Sequence, residues 1–173
     1  RFSLANLLHT SAENRDLLID ELESRRFRAD NSTFKMAVDD YLENQIKATE
    51  VYGPISSWDV SRVTDMSMAF YYAGFFNADL SSWDVSSVTD MKAMFSSATH
   101  FNGDLSTWNV SQVTDMTEMF NHAIHFNGDL SNWDVHSVTN MRSMFYSAGS
   151  FNGDLSRWNV SQVTDMSFMF GGA

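Results

Sequence analysis

The chain of 173 residues is 43% hydrophobic and 19% charged, which is typical of a folded domain with a sizeable core. Its formal net charge of −11 argues against nucleic acids and anionic membrane surfaces as partners, because both are bound through clustered Lys and Arg. The absence of cysteine excludes disulfides, thiolate metal ligands and thiol nucleophiles. No run of about 18 apolar residues is present, so the sequence predicts no membrane-spanning helix.

Residues 1–30 are predicted to form a helical N-terminal segment whose role the pattern leaves open. Residues 10–13, Thr-Ser-Ala-Glu, have the form of a capping box, in which two side chains satisfy free N–H groups at a helix start. Leu17, Leu18 and Leu22 follow at helical spacing. This helix either completes a cap on the fold or docks elsewhere.

Residues 31–50 are predicted to contain a second helix that caps the fold. It is expected to begin after Asn31 or Ser32. One side of it carries a stripe at helical spacing, formed by Phe34, Val38, Tyr41, Leu42 and Gln45. We expect this side to cover the first repeat.

Residues 51–173 repeat a 25-residue unit five times. One Met, one Phe and two Val series keep the same period as the tryptophans. The unit reads F-N-G-D-L-S-x-W-x-V-S-x-V-T-x-M-x-x-M-F, with Asp or Asn after Trp and after Thr. All the tryptophans of the chain belong to this period, namely Trp58, Trp83, Trp108, Trp133 and Trp158.

The first and last copies depart from the unit. Residues 51–55, Val-Tyr-Gly-Pro-Ile, stand where later copies have Phe-Asn-Gly-Asp-Leu, and the last copy stops at residues 171–173 before it is complete. Terminal repeats are normally altered because they must cap an open core. We expect that the chain is a fragment, continues in a further tail, or buries its last repeat against another molecule.

A unit of this length cannot bury its own apolar side, so the copies are expected to stack and to align identical residues. The predicted fold is an α+β repeat, a leucine-rich-repeat-like solenoid of five short-strand coils with a helical N-terminal cap. Short strands are expected at M-x-x-M-F and at W-x-V, with Ser and Gly positions at the corners. The aligned Trp, Met, Phe, Val and Leu side chains would fill the interior.

Three series of aspartates run through the repeats and allow two interpretations. Each side chain either accepts backbone N–H bonds at a turn or helps to bind calcium, which favours oxygen ligands. Asn109, Asn140 and Asn159 replace Asp in two of the series, so a neutral acceptor suffices there and turn capping is favoured. The remaining series stays open as a weak calcium candidate and consists of Asp79, Asp104, Asp129 and Asp154.

The hydroxyls and histidines also suggest chemistry, but their pattern favours structural roles. Serines and threonines recur at equivalent positions of the repeats, whereas an active site needs one unique arrangement. His100 and His125 share a repeat position and should be neighbours, and His122 could approach them and complete a metal site. Because no Cys or unique carboxylate accompanies them, we favour surface histidines and expect no cofactor.

The positions that the repeat leaves variable are the best candidates for partner binding. They follow the Met-Phe pair, should face outward and carry several aromatic residues, which supply large rigid contact areas at interfaces. Neutral variation on a solvated surface is the alternative. These positions, called the variable stripe below, are Tyr71, Tyr72, Phe75, His100, His122, Ile124, His125 and Tyr146.

The unit resembles the repeat of about 25 residues in the BspA-like surface-protein family, catalogued as domain of unknown function 285 and grouped with leucine-rich repeats. The resemblance covers residues 50–173 and depends most on W-x-V-S-x-V-T-x-M. It implies a leucine-rich-repeat-like solenoid used for binding and adhesion, often at cell surfaces. It implies no catalytic residue.

We therefore expect no enzyme, but a non-catalytic interaction or adhesion module that binds a protein or a glycan through the variable positions. The alternative is a structural subunit, a scaffold or spacer in a larger multiprotein assembly, docked through residues 1–30 or through the last repeat. The family resemblance favours an extracellular or cell-surface location. A structural role would equally suit an organelle or a large complex.

Overall fold

The computed structural model describes residues 26–173, so the first predicted helix lies outside the described part. Two α-helices come first in this part: α1, Asn31–Glu43, and α2, Gln45–Tyr52. A short 3-10 helix, Ile55–Ser57, leads into the repeats. The repeats themselves consist of successive turns joined by short extended links.

Helix α1 begins at Asn31, within one residue of the predicted start, because Asp30 caps its first turn. The Asp30 carboxylate accepts the N–H of Thr33 at 2.9 Å, and the Thr33 hydroxyl accepts the N–H of Asp30 at 2.9 Å. This exchange satisfies donors that the start of a helix leaves free. Asn44 separates the helices and caps α2 by accepting the N–H of Lys47 at 3.0 Å.

One side of α1 packs against the aromatic rings of the first two repeats. Phe34 lies edge-on to Trp83, with ring centroids 5.6 Å apart, and Tyr41 lies edge-on to Trp58 at 6.0 Å. Both α1 side chains are buried, whereas Leu42, at the end of the helix, is exposed. The apolar stripe therefore packs against the repeats along most of α1 and leaves them near its C-terminus.

The predicted α+β solenoid of short-strand coils is wrong for residues 26–173. This part of the chain contains no β-strand, and pairing between repeats is limited to isolated parallel bridges. The bridges between repeats link Asp65 with Asp90, Asp90 with Asp115, Asp115 with Asn140, and Asn140 with Asp165. The expected leucine-rich-repeat-like sheet does not form there.

Two kinds of backbone hydrogen bond alternate along M-x-x-M-F and prevent a strand. Met66 N–H donates to the Asp90 carbonyl at 2.9 Å, and Phe70 N–H donates to the Met94 carbonyl at 2.8 Å. The Ala69 N–H between them folds back onto the Met66 carbonyl at 3.2 Å. In a sheet strand the intervening N–H would reach a second neighbouring strand. Here it closes a turn within its own repeat, so the segment forms turns and no strand.

Two positions in each repeat adopt a left-handed backbone, which also interrupts a strand. In the first four repeats their N–H groups donate to the next repeat, as Met68 does to the Lys92 carbonyl at 2.8 Å. Strain of about 1–2 kcal/mol per residue is thus offset by inter-repeat bonding. The described non-glycine residues with φ between 52° and 61° are Met68, Tyr72, Ala93, Ser97, Glu118, His122, Ser143, Ser147 and Phe168.

The aligned aromatic residues form the core. Trp108 is 3% exposed and stacks on Trp133 with ring centroids 6.5 Å apart and an interplanar angle of 2°. The indole N–H of Trp108 donates to the Leu80 carbonyl of the preceding repeat at 3.1 Å. Phe95 stacks on Phe120 at 5.7 Å in a second column. Each ring thus contributes both apolar burial and cohesion between repeats.

Replacing Trp108 with Ala should destabilise the protein by about 3–5 kcal/mol, because it opens a cavity in the core. It also removes the indole N–H that satisfies the buried Leu80 carbonyl. Denaturant unfolding followed by circular dichroism measures the loss. Phe75→Ser is the control and should be nearly neutral, because Phe75 is 93% exposed. A nearly neutral Trp108→Ala would contradict a core built on the tryptophans.

Candidate functional site

The variable stripe lies mainly on the surface. Of its residues only Tyr146 is half-buried, and the others are exposed. Phe75 is 93% exposed, Tyr72 70% and Ile124 45%, which are high values for large apolar side chains. The structure gathers the stripe into three ring groups: a Phe75, His100 and His125 column, a Tyr71–Tyr72 pair and a His122–Tyr146 pair.

Phe75, His100 and His125, called the aromatic column below, stack in consecutive repeats. The ring centroids are 5.4 Å apart between Phe75 and His100 and 5.3 Å apart between the histidines. The Nδ1 of His100 lies 2.7 Å from the Gly74 carbonyl, and the Nδ1 of His125 lies 2.7 Å from the Thr99 carbonyl. A carbonyl only accepts, so Nδ1 carries the proton in both rings. The predicted proximity of these two histidines is confirmed.

The other rings of the variable stripe form two pairs. Tyr71 and Tyr72 meet edge to face, with ring centroids 4.5 Å apart. Desolvation, followed by the hydrogen bond with Tyr72 and the charges of Tyr72 and Glu118, raises the pKa of Tyr71. His122, which the sequence placed near the other two histidines, instead contacts the Tyr146 ring at 5.6 Å.

A groove of about 610 Å³ opens between the helices and the junction of the first two repeats. Tyr41, Leu42 and Gln45 line its helix side, and residues 71–78 line its repeat side. It therefore joins three residues of the variable stripe, Tyr71, Tyr72 and Phe75, to three helical residues that the sequence had assigned to a packed face. No Lys, Arg, His, Asp or Glu is among its lining residues.

The sequence analysis missed the helix side of this groove. It predicted that Leu42 and Gln45 pack onto the first repeat, but both are exposed. Asn44 was the available signal, because Asn is a preferred helix cap and here it ends α1 and begins α2. The change of helix at Asn44 accompanies the opening between α1 and Phe75.

All three aspartate series cap turns, which the sequence favoured for the two series that contain Asn and left open for the third. Asp104 accepts the N–H of Ser106 at 2.9 Å, and Asn109 accepts the N–H of Ser111 at 3.1 Å in the same way. The same bond to the N–H two residues further on is made by Asp59, Asp65, Asp79, Asp84, Asp90, Asp115, Asp129, Asp134, Asn140, Asp154, Asn159 and Asp165. An amide oxygen replaces the carboxylate wherever Asn occurs.

The local surroundings shift the aspartate pKa values in opposite directions. The Ser81 hydroxyl and N–H lower the pKa of Asp79. Backbone N–H bonds from the equivalent serines lead in lowering the pKa of Asp104, Asp129 and Asp154. Burial raises the pKa of Asp90 against the N–H bond from residue 92, and the neighbouring aspartate charges add to the rise.

Calcium binding at Asp79, Asp104, Asp129 and Asp154 stays a hypothesis. One oxygen of each carboxylate already accepts a backbone N–H within its turn. Among residues 26–173, no three or more His, Cys, Asp or Glu side chains lie together in a group that could hold a metal ion.

The hydroxyls and asparagines of the repeats join successive copies. The Thr114 hydroxyl donates to the Thr89 carbonyl at 3.1 Å, and the same bond recurs between equivalent threonines. The Asn102 side-chain carbonyl accepts the N–H of Asn127 at 2.8 Å. This asparagine series escaped the sequence analysis, although the F-N pair in the last four copies was the signal for it.

A family model described as "Mycoplasma protein of unknown function, DUF285" matches residues 40–135 and 80–173. The chain belongs to this family. The DUF285 match includes every residue that lines the groove. Comparison with curated proteins and with solved structures gives no match. No helix in residues 26–173 is long and apolar enough to cross a membrane.

Replacing Asp90 with Asn should stabilise the protein at neutral pH. Burial raises the pKa of Asp90, so its charged form is disfavoured in the folded state, whereas an amide keeps the turn bond, as Asn140 does. We expect a gain of up to about 1 kcal/mol after solvent screening. The gain should vanish below the ordinary aspartate pKa of 3.8, where Asp90 is protonated in both states. Thermal melts from neutral to acidic pH test this.

Asp104→Asn is the matched control with the opposite sign. The pKa of Asp104 is lowered, so its charged form stabilises the folded state above its unfolded pKa, and this contribution is lost as pH falls through the folded value. The substitution should therefore lower the melting temperature at neutral pH and have little effect in acid. Equal effects of Asp90→Asn and Asp104→Asn on the melting temperature would contradict the opposite pKa shifts of the two aspartates.

Proposed function

We propose that the protein is a non-catalytic interaction module that binds a partner protein through the groove and the aromatic column. The observation that carries this proposal is the exposure of large aromatic side chains beside a groove, with Phe75 at 93% and Tyr72 at 70%. Such residues dominate binding at protein interfaces because they bury large areas with little loss of side-chain freedom. A groove gives them a place to enclose a partner.

The fold does not require aromatic residues at these positions. Ser96 and Ser97 occupy the positions of Tyr71 and Tyr72 in the second repeat, and the backbone bonds are the same. Tyr72 N–H donates to the Ser96 carbonyl at 2.9 Å, and Ser97 N–H donates to the Asn121 carbonyl at 2.7 Å. A role other than folding, namely binding, therefore accounts for the Tyr71 and Tyr72 rings in the first repeat.

The absence of catalysis is part of the proposal. The Asp, Ser and Thr side chains that suggested chemistry make the same backbone bonds in successive repeats, which supports a folding role for them. The likeness to the BspA-like repeat supports binding or adhesion at a cell surface. A glycan is the alternative ligand, since exposed rings also stack on sugars.

The test is the triple variant Tyr71→Ser, Tyr72→Ser and Phe75→Ser. Serine already occupies the equivalent positions at Ser96, Ser97 and Ser150, so the melting temperature should stay unchanged. Capture of a partner from the native source, measured by affinity purification and mass spectrometry, should be lost because the aromatic contact area is removed.

The control variant is Met36→Gln with Ile46→Gln. These side chains are 60% and 77% exposed on the helices and lie outside the groove lining, so the variant removes apolar surface elsewhere. It should capture the partner as well as the wild type does. Undiminished capture by the triple variant would refute the proposed function.

A structural subunit is the second candidate, supported by the exposed apolar side chains of the last repeat. Met166 is 39% exposed and Phe170 52%, whereas the equivalent Met116 and Phe120 are fully buried. Such a face suits packing against a further repeat or against another molecule. Light scattering should then show self-association of the wild type and a monomer for Phe168→Ser with Phe170→Ser. A wild-type monomer would count against this role.

A further inference from the structure

The aromatic column ends in an open ring face at Phe75. His100 stacks on one face of Phe75 at 5.4 Å, with an interplanar angle of 27°. Phe75 is nonetheless 93% exposed. The groove lies between Phe75 and the two helices. Leu42 and Gln45 line its helix side. The uncovered face of Phe75 therefore borders a space in which a further flat group can continue the column.

The column itself shows which shape fits this space. Its members are flat rings about 5.3–5.4 Å apart, one in each of the first three repeats. On the helix side the Tyr41 ring is buried against Trp58 and Phe76. The exposed Leu42 and Gln45 carry no ring into the next place of the column. A ligand that fills this place needs a planar group of similar width, so that it can stack on Phe75 and fit between that ring and the helix side of the groove.

The charges around the groove favour a cation. The groove lining contains no Lys, Arg, His, Asp or Glu, and the chain as a whole carries a formal net charge of −11. Exposed Asp39 and Glu43 flank the groove residues Tyr41 and Leu42 along α1. The lysines of the two helices lie near acidic side chains. Lys47, for example, lines a small pocket together with Asp40 and Glu43. A positive ligand group is therefore attracted and meets no opposing cation in the lining.

We propose that the groove binds an arginine side chain of a partner protein, with its guanidinium stacked on the open face of Phe75. The proposal rests on the interaction function proposed above and specifies its ligand. A guanidinium is planar, always charged and weakly hydrated, and it stacks on aromatic faces. The Gln45 side-chain carbonyl at the edge of the groove can accept one of its N–H bonds. Lysine lacks the plane, and a sugar lacks the charge.

The test compares small probes by NMR on the full chain. N-acetylarginine amide is compared with N-acetylcitrulline amide, which has nearly the same shape without the charge, with N-acetyllysine amide, and with a neutral disaccharide. We expect saturable shifts of the Tyr72 and Phe75 ring signals with the arginine probe. Its affinity should exceed that of the citrulline probe about two- to five-fold, as expected for a cation over an exposed ring.

Two matched variants locate the binding. Phe75→Ser should abolish the shifts of the Tyr72 ring, and Phe168→Ser should leave them unchanged, because Phe168 is 65% exposed but lies in the last repeat. Both variants remove one exposed phenylalanine ring. Melting temperatures equal to that of the wild type establish that each variant is folded.

Each remaining outcome overturns the arginine assignment. Equal affinity for the arginine and citrulline probes would show that the charge plays no part. Tighter binding of the lysine probe would show that the planar shape of the guanidinium plays no part. A response to the disaccharide alone would identify a glycan site. No response to any probe would also refute it. If the triple variant still loses partner capture, the ligand class is wrong but the interaction function stands. If capture survives in that variant, the interaction function itself fails.

Discussion

The row of backbone hydrogen bonds between successive repeats determines the rest of the structure. Every second N–H of M-x-x-M-F donates to the next repeat, as Met66 does to Asp90, and those between them close turns. This register places equivalent side chains one above another, so Phe95 stacks on Phe120 at 5.7 Å. It also holds residues such as Met68 in a left-handed backbone, because their N–H groups belong to the row. Core packing and turn geometry thus have one common cause.

The N-terminal cap reproduces part of this register without being a repeat. The Asn31 side-chain carbonyl accepts the N–H of Thr64 at 2.8 Å. In the next repeat the Thr64 backbone carbonyl accepts the N–H of the equivalent Thr89 in the same way. Ala29 N–H donates to the Asp59 carbonyl at 2.8 Å, and Asp59 N–H donates to Phe27 at 2.9 Å. The helices do not continue this register as far as Phe75. A groove opens where the stack of rings would otherwise continue, so the candidate site is a consequence of imperfect capping.

The candidate site could be predicted in part. Variation at the positions of Tyr72 and Phe75 showed that the repeat does not need a ring there, and the shared repeat position of His100 and His125 predicted their contact. The groove was not predictable, because it depends on where α1 turns away relative to the first repeat. Leu42 and Gln45 fitted an amphipathic helix well, but Leu42 is exposed at the end of α1 and Gln45 lies beyond the break at Asn44.

By itself, the sequence determined that the repeats stack and which side chains are aligned, because a 25-residue unit buries its apolar residues only against its neighbours. It also favoured a turn-capping role for the aspartate series that contain Asn, since Asn109 showed that an uncharged acceptor suffices there. Only the tertiary structure decided between strands and turns. A left-handed backbone at Met68 or Glu118 is invisible in the residue type and is stabilised by a carbonyl of the next repeat. The groove likewise exists only where the helices and the first repeat meet.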